Sequence, residues 1–562
     1  MSDQINVYLN EWNKNAAILG FINIVGDKNV KQNKDGIIFS ESMLDNFSTK
    51  YFDYFINIYE KSLSYYKIVS YRKQIEYFEQ TNFENFTEDS LNHLNSYIRD
   101  TVKYYLKSSS YKAAYPFIKL NYDIERAGKE LTVVSILKTK DKFADKKNEV
   151  ITEVKDRFQK LTKIIDYITS DDGRKYLAAK NVIYTVINKG WDGVAFLNTG
   201  NSKKDSYIEF EKYFVQPLKE YLGVDKSKYK FSCCSCQQPI KSLKNDTLSF
   251  LQKTGYDVAR KNAHAWEFQN DLAICPLCKL LYACLPAGMT YVGNQGIFVN
   301  ANSSLDVLKR TNNLIKQEVH VLNKETSLNL NTYGALIRSL NEKEERGYEY
   351  ELEDVQVIRY QNETYRFNIL SKNIISVIVN SKRELELLRR TTFSSNKERF
   401  YIYQLVLERL FNSQNLFSLI HQLIVLKVTN RSDLYYQSIH IRNLIKINQK
   451  FLEGGINAMT ELDKNIVNRV WYVSQLFKKG YNNPRKVAGI SHKLLNALRA
   501  NDRDTFMDII LNCYAYMNQA VPIEFKYIFR DRETFKTIGY SFVSGIIGPV
   551  ETKNSGVEND GE

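Results

Sequence analysis

The sequence predicts an α+β protein: a mixed N-terminal body with a four-cysteine zinc-binding insertion, followed by a C-terminal helical bundle. Three observations lead there. Apolar residues recur at three- and four-residue spacing from Ser42 to about Leu106 and through nearly all of the chain beyond Lys382. Short β-branched or alternating runs stand at Gly36–Phe39, Tyr348–Tyr360 and Tyr365–Leu370. Six of the seven cysteines fall between Cys233 and Cys284. A chain of 562 residues is too long for one ordinary core. The expected divisions are 1–230, an N-terminal α/β body; 231–300, the zinc-binding region; 301–395, a mixed α/β segment with a β-hairpin; 396–547, the helical bundle; and 548–562, a polar, acidic, disordered tail.

In chain order, Trp12 to Ile24 is an apolar segment, followed by a Gly/Asp/Lys/Asn loop to Asp35 and a short strand at Gly36–Phe39. Phe52, Phe55, Ile56 and Tyr59 share one helical face, and the tyrosines from Tyr51 to Tyr71 read as core packing. Residues 138–180 are lysine-rich and helical. Val182–Ile187 and Trp191–Asn198 look like two strand-like runs with glycines at the bend, a β-rich element leading into a helix from Tyr207 to Tyr221. The turn Gln361–Thr364 predicts a hairpin between its flanking runs. Helices follow over Arg399–Val428, Leu434–Leu452, Met459–Lys479, Arg485–Ala500 and Thr505–Tyr516, punctuated by Gly454-Gly455, Gly480–Pro484 and Asn501-Asp502.

Charge is segregated along the chain. Lys and Arg number 78 against 64 Asp and Glu, a surplus of 14. Residues 101–250 hold 28 basic against 18 acidic side chains (+10), and 401–500 hold 14 against 5 (+9). Two basic blocks around a near-neutral middle predict two anion-facing surfaces. The N-terminus has no basic stretch leading into an apolar one, and no apolar run reaches 18 residues, so a cytoplasmic protein without membrane contact is expected.

Without an export signal, clustered cysteines read as metal ligands sooner than as disulfides. Cys233-x-x-Cys236 and Cys275-x-x-Cys278, 38 residues apart, can present two thiolates each to one tetrahedral Zn²⁺. Cys234 is an alternative to Cys233 in register, and Cys284 and His264 are spare candidates. Four thiolates close the coordination sphere, so the expected zinc is structural. Cys513, far away in a helical segment, reads as core. No nucleotide-binding glycine loop, HExxH or GxSxG is present, and Asp171-Asp172-Gly173 reads as a capping turn rather than a metal site. No enzyme activity is expected. A metal-dependent nuclease or nucleotide-processing enzyme with an unrecognised site is the alternative.

Three patches carry a family resemblance: Trp12, Ala16, Ala17, Ile18, Gly20, Phe21, Ile22 and Asn23; Trp191, Asp192, Gly193, Val194, Phe196, Leu197 and Asn198; and Cys275, Pro276 and Cys278 with Leu281 and Tyr282. With the order of the two CxxC pairs and the helical C-terminal region, they resemble the large subunit of a type I-B CRISPR effector complex (Cascade). The resemblance implies a non-catalytic subunit that recognises the protospacer-adjacent motif on double-stranded DNA and helps open the duplex. It also implies contacts with the guide RNA 5′ handle and the displaced strand, an R-loop-supporting role, and a docking surface for a helicase-nuclease. Its implied partners are the CRISPR guide RNA, target DNA and the backbone, handle-binding and small subunits of Cascade. The C-terminal bundle resembles the small helical subunit. The basic blocks then supply the nucleic-acid-binding candidates: Lys138, Lys140, Lys142, Lys146 and Lys147; Lys203 and Lys204; Lys226, Lys228 and Lys230; and Lys478, Lys479, Arg485 and Lys486. Lysine-dominated clusters favour phosphate contact over base reading. The Gly/Asn/Lys loop from Gly26 to Asp35 is the expected motif reader.

Overall fold

The computed structural model describes residues 4–136, 143–244, 246–255, 272–301, 304–321, 355–361, 363–395, 398–429, 433–453, 465–481 and 483–549. It is a mixed α/β structure, mostly helical with small sheets. The chain divides into two compact units, one formed by residues 1–312 with 358–367 and the other by 313–357 with 368–562.

The first unit is organised around helix Trp12–Val25, which is buried on nearly every side. Its run Ala16–Ile22 is apolar on all sides, as in a core helix, and it packs at backbone distance. A Cβ at Gly20 would stand 1.9 Å from the Cys284 carbonyl oxygen, and one at Gly288 would stand 1.9 Å from that of Ala16. Beside the helix, Gly36–Ser40 is the centre of a three-stranded sheet, antiparallel to Gln4–Tyr8 and to Lys31–Asn33. The loop expected from Gly26 to Asp35 is therefore a 3₁₀ turn, Asp27–Asn29, plus an edge strand, with Lys28, Lys31 and Lys34 exposed. Helix Phe47–Tyr59 turns Tyr51, Phe52 and Phe55 inward onto Phe210, Phe214 and Trp191, the Tyr51 and Phe210 rings lying 4.3 Å apart. Tyr51, Tyr59 and Tyr65 are buried, so they pack the core as their helical spacing implies. Helix Lys147–Thr169 buries Val150, Val154, Phe158, Leu161 and Ile165 and exposes Lys155 and Lys163.

The expected β-rich element at 182–198 is absent. Val182 and Ile183 belong to helix Ala179–Thr185, and Trp191–Asn198 is a turn around the 3₁₀ segment Ala195–Leu197. The helix is enclosed on so many sides that its exposed stripe is lost, and an apolar β-branched run without periodicity is indistinguishable from a buried strand. Asp171–Gly173 is a capping turn: the Ser170 hydroxyl accepts from the Gly173 amide at 3.1 Å, and the Asp172 carboxylate from the Lys119 amide at 3.2 Å.

The hairpin falls at Val355–Gln361 and Thr364–Leu370 within a four-stranded sheet; its expected start at Tyr348 lies outside the described residues. In the second unit, helices Phe417–Val428, Ser438–Glu453, Ile466–Tyr481, Pro484–Ala500 and Arg503–Tyr516 are joined by helix Arg532–Ile546, which the sequence reading did not single out. That last helix is buried along most of its length. Its small residues admit neighbours closely: a Cβ on Gly545 would stand 1.7 Å from the Ser474 hydroxyl oxygen. Two expected helix starts are strands instead. Glu398–Tyr401 and Leu434–Tyr435 flank Thr392–Ser395 in a small antiparallel sheet. Met459, Gly454-Gly455 and the tail from 550 lie outside the described residues.

Candidate metal centre

The first CxxC pair sits in a two-strand knuckle. Phe231–Ser232 pairs with Pro239–Ile240, and between them the Cys233 amide donates to the Gln238 carbonyl at 2.8 Å and the Gln237 amide to the Cys233 carbonyl at 2.9 Å. Gln237 adopts a left-handed conformation (φ 61°) to close the turn. The second pair opens helix Pro276–Ala283: Cys275 is the N-cap, its sulfur accepting from the Cys278 amide at 3.4 Å, with Pro276 in the first turn where no intrahelical amide is needed.

These two local structures bring the sulfurs of Cys233, Cys236, Cys275 and Cys278 within 4.8 Å of one another, with Cys236 and Cys275 at 3.5 Å. A tetrahedron with metal–sulfur bonds of about 2.3 Å has sulfurs about 3.8 Å apart, so the arrangement fits a metal ion held by four thiolates. Electrostatics point the same way. Hydrogen bonds from Cys236, Cys275 and Cys278 hold the Cys233 thiol below its usual range. The same contacts, with burial, push Cys275 and Cys278 well above theirs. Four enclosed thiols cannot all ionise at neutral pH by themselves, because each negative charge opposes the next; a cation among them removes that conflict.

The spare candidates separate cleanly. Cys234 turns outward and is exposed, its amide bound to the Ala273 carbonyl at 3.0 Å. Cys284 is buried and donates to the Leu280 carbonyl at 3.3 Å. Cys513 is buried in helix Arg503–Tyr516, as core. His264 lies outside the described residues. Among the described residues, no other group of three or more histidine, cysteine or acidic side chains converges on a common point.

The three patches that carry the family resemblance meet on the chain that leaves the second CxxC pair. The Trp191 indole donates to the Ala283 carbonyl at 3.1 Å, and the Tyr51 hydroxyl donates to the same oxygen at 2.8 Å. The Asn23 amide and the Tyr54 hydroxyl share the Ala287 carbonyl, each at 2.9 Å. Gly190 lies against Pro286, where a Cβ would come within 2.5 Å. Tyr282 reaches back to the first knuckle, its hydroxyl 2.9 Å from that of Ser235. The chain leaving the second CxxC pair is thus gripped by the N-terminal helix and the Trp191 turn, which restrains Cys275 and Cys278.

The predicted nucleic-acid residues are more dispersed. Lys138, Lys140 and Lys142 lie outside the described residues. Lys146 and Lys147 are half-buried, and the Lys147 amine donates to the Glu84 carbonyl at 3.1 Å. Lys203 and Lys204 are exposed, Lys204 lying 3.9 Å from the Glu209 carboxylate. Lys228 and Lys230 are exposed, whereas Lys226 folds over the Tyr221 ring at 4.6 Å. In the second unit the Lys478 amine donates to the Gly548 carbonyl at 2.5 Å. Lys479, Arg485 and Lys486 are exposed, with Lys486 5.4 Å from the Tyr516 ring centre. Several other lysines point inward. Lys14, Lys180, Lys189 and Lys279 are buried, and burial lowers Lys180 and Lys189 to about 8. Net charge per segment therefore overstates the charge available at the surface. Sequence reading missed these residues, since nothing local marks a lysine as buried.

Residues 226–290 match a protein-family model described as CRISPR-associated protein (Cas_CXXC_CXXC). The match spans both CxxC pairs together with Lys226, Lys228 and Lys230, and over that stretch the chain is similar to CRISPR-associated proteins with CxxC motifs. Comparison with curated proteins and with solved structures finds no match. Among the described residues no helix is long and apolar enough to cross a membrane.

Proposed function

We propose that the protein is the large subunit of a type I-B Cascade surveillance complex, and that it acts there without catalysis of its own. The observation that carries this reading is the match of residues 226–290 to a CRISPR-associated family across both CxxC pairs. The ion is Zn²⁺, the metal best suited to a closed set of four thiolates, and its role is structural. It joins a two-strand knuckle to a helix start, two elements too short to hold each other by apolar burial alone. The exposed lysines Lys228 and Lys230, just before the knuckle, and Lys203, in the turn after Asn201, meet the phosphates of duplex DNA or of the guide handle. The exposed cations of the second unit, Lys479, Arg485 and Lys486, follow the displaced strand. The segment from Gly26 to Asp35, with its exposed Lys28, Lys31 and Lys34, is the element proposed to read the protospacer-adjacent motif. Sequence reading beyond that motif belongs to guide-RNA pairing.

Assembly with guide RNA and the backbone subunits, followed by binding to duplexes with and without the motif, tests this reading. Binding should require the subunit and weaken steeply with salt, because each neutralised phosphate releases counterions. Affinity that is flat between low and moderate salt contradicts the phosphate contacts. Turnover of single- or double-stranded DNA by the isolated protein with a divalent metal would favour the nuclease alternative instead.

A further inference from the structure

Lys14 is 5 % exposed and stands in the first turn of helix Trp12–Val25, where the positive end of the helix dipole adds to the cost of burying an ammonium group. Its amine donates to one acceptor among the described residues, the main-chain carbonyl of Ser235 at 3.2 Å, and no described carboxylate lies within ion-pair distance of it. Lys279, equally buried, differs: its amine lies 2.7 Å from the Asp246 carboxylate. An ammonium enclosed without a carboxylate calls for another source of negative charge nearby.

Ser235 lies inside the first knuckle, between Cys234 and Cys236. A divalent ion bound by four thiolates keeps two negative charges in excess. We propose that Lys14 supplies the counter-charge of the four-cysteine metal centre. Its ammonium, held on the Ser235 carbonyl, offsets the excess on Cys233, Cys236, Cys275 and Cys278 and polarises the peptide unit whose N–H belongs to Cys236. Lys14 is then a positioning residue that couples metal retention to the seating of helix Trp12–Val25. The inference rests on reading the four cysteines as a metal centre.

The test uses the full chain with Lys14→Gln, which can keep the hydrogen bond but removes the charge, and Lys14→Arg, which keeps the charge. Zinc content and competition with a chelator are measured for each. The wild type is expected to hold about one Zn²⁺ per chain. Lys14→Gln should lose affinity by about 10- to 100-fold, the range for removing groups that support metal ligands, while Lys14→Arg stays within about threefold of wild type. Co²⁺-loaded Lys14→Gln should also show a displaced thiolate-to-metal charge-transfer band, which a change in helix packing alone would not move. If Lys14→Gln folds poorly, refolding across a zinc titration decides: recovery at about 100-fold higher free zinc supports the proposal, and no recovery at any zinc level overturns it. Unchanged affinity in Lys14→Gln with a metal-loaded wild type overturns the counter-charge alone. A wild type that binds no Zn²⁺ overturns the metal centre itself.

Discussion

The two units differ in where their buried polar groups find partners among the described residues. In the first, large side chains with one polar end aim that end at a main-chain carbonyl: Tyr51 and Trp191 at Ala283, Tyr54 at Ala287, Tyr97 at Ile68. The Asn188 and Ser206 oxygens are exceptions. In the second unit, the hydroxyls of Ser474, Ser491, Ser541 and Ser544 donate to carbonyls of their own helices, but several buried amides and hydroxyls lack a partner among the described residues. Gln475 donates to the Gly545 carbonyl at 2.8 Å while its own oxygen accepts from none of the described residues. Asn448 accepts from the Leu416 amide at 2.6 Å while its nitrogen donates to none of them. The Trp471 N–H and the Thr537 hydroxyl have no partner among the described residues either. Each such group costs about 1–3 kcal/mol if it stays enclosed. The first unit is therefore marked by side-chain bonds to main-chain carbonyls, several of them on the chain leaving the second CxxC pair, and the second by apolar helix packing that carries more buried polar groups without a described partner.

The sharpest way to break this contrast is to disrupt the four-cysteine cluster. Cys275→Ser should lose metal and fold together in the first unit, since structural zinc sites of this kind contribute on the order of 10 kcal/mol. Calorimetry should show that transition collapse while the helical unit keeps its own; a second unit that melts at the same time would mean the two do not stand separately. Next in size is Gly20→Leu, whose side chain has no room against the Cys284 and Gly288 backbone. A cost of about 3 kcal/mol or more is expected in denaturant unfolding, with zinc retention falling alongside. A smaller effect, of opposite sign, is expected in the second unit. Thr537→Val removes a fully buried hydroxyl that has no partner among the described residues and should raise stability by about 1 kcal/mol. If it destabilises instead, the hydroxyl is satisfied in solution and the contrast weakens.

A pH series sharpens the comparison further. Burial lowers the Lys180 amine from 10.5 to about 8, so between those values the unfolded chain binds more protons than the folded one, and stability contributed by this group rises with pH. The stability gap between wild type and Lys180→Met should shift in favour of wild type as pH rises from 8 toward 10.5. A gap constant with pH would show that the amine is not held in its enclosed position. The smallest expected effect concerns exposed charge. Replacing Lys228 and Lys230 with alanine should flatten the log–log salt dependence of DNA binding by about one unit per lost phosphate contact, with no change in melting temperature.

Much of the metal centre was legible because its ligands come in local pairs. A CxxC turn can hardly do anything but place two sulfurs together, so Cys236, Cys275 and Cys278 follow from spacing alone. Choosing Cys233 over Cys234 needed the knuckle, whose contact with Ala273 turns Cys234 outward. The helices of the second unit were legible where one face is solvent, as in Pro484–Ala500 and Arg503–Tyr516. Periodicity failed where burial is nearly complete: helix Ala179–Thr185 reads as a strand. The short strands Glu398–Tyr401 and Leu434–Tyr435 were hidden for a different reason, since they exist only by pairing with Thr392–Ser395.

By itself the sequence determined three of the four thiol donors, the mixed helical class, the two basic blocks and the residues of the three patches, all properties set by local spacing and composition. Only the tertiary structure decided that those patches close on the chain leaving the second CxxC pair, that Lys14 and Lys180 face inward while Lys228 and Lys479 face out, and that most of the buried polar atoms without a partner among the described residues lie in the second unit. Those outcomes depend on which carbonyl, ring or helix arrives from distant points of the chain, and spacing along the chain carries no record of that.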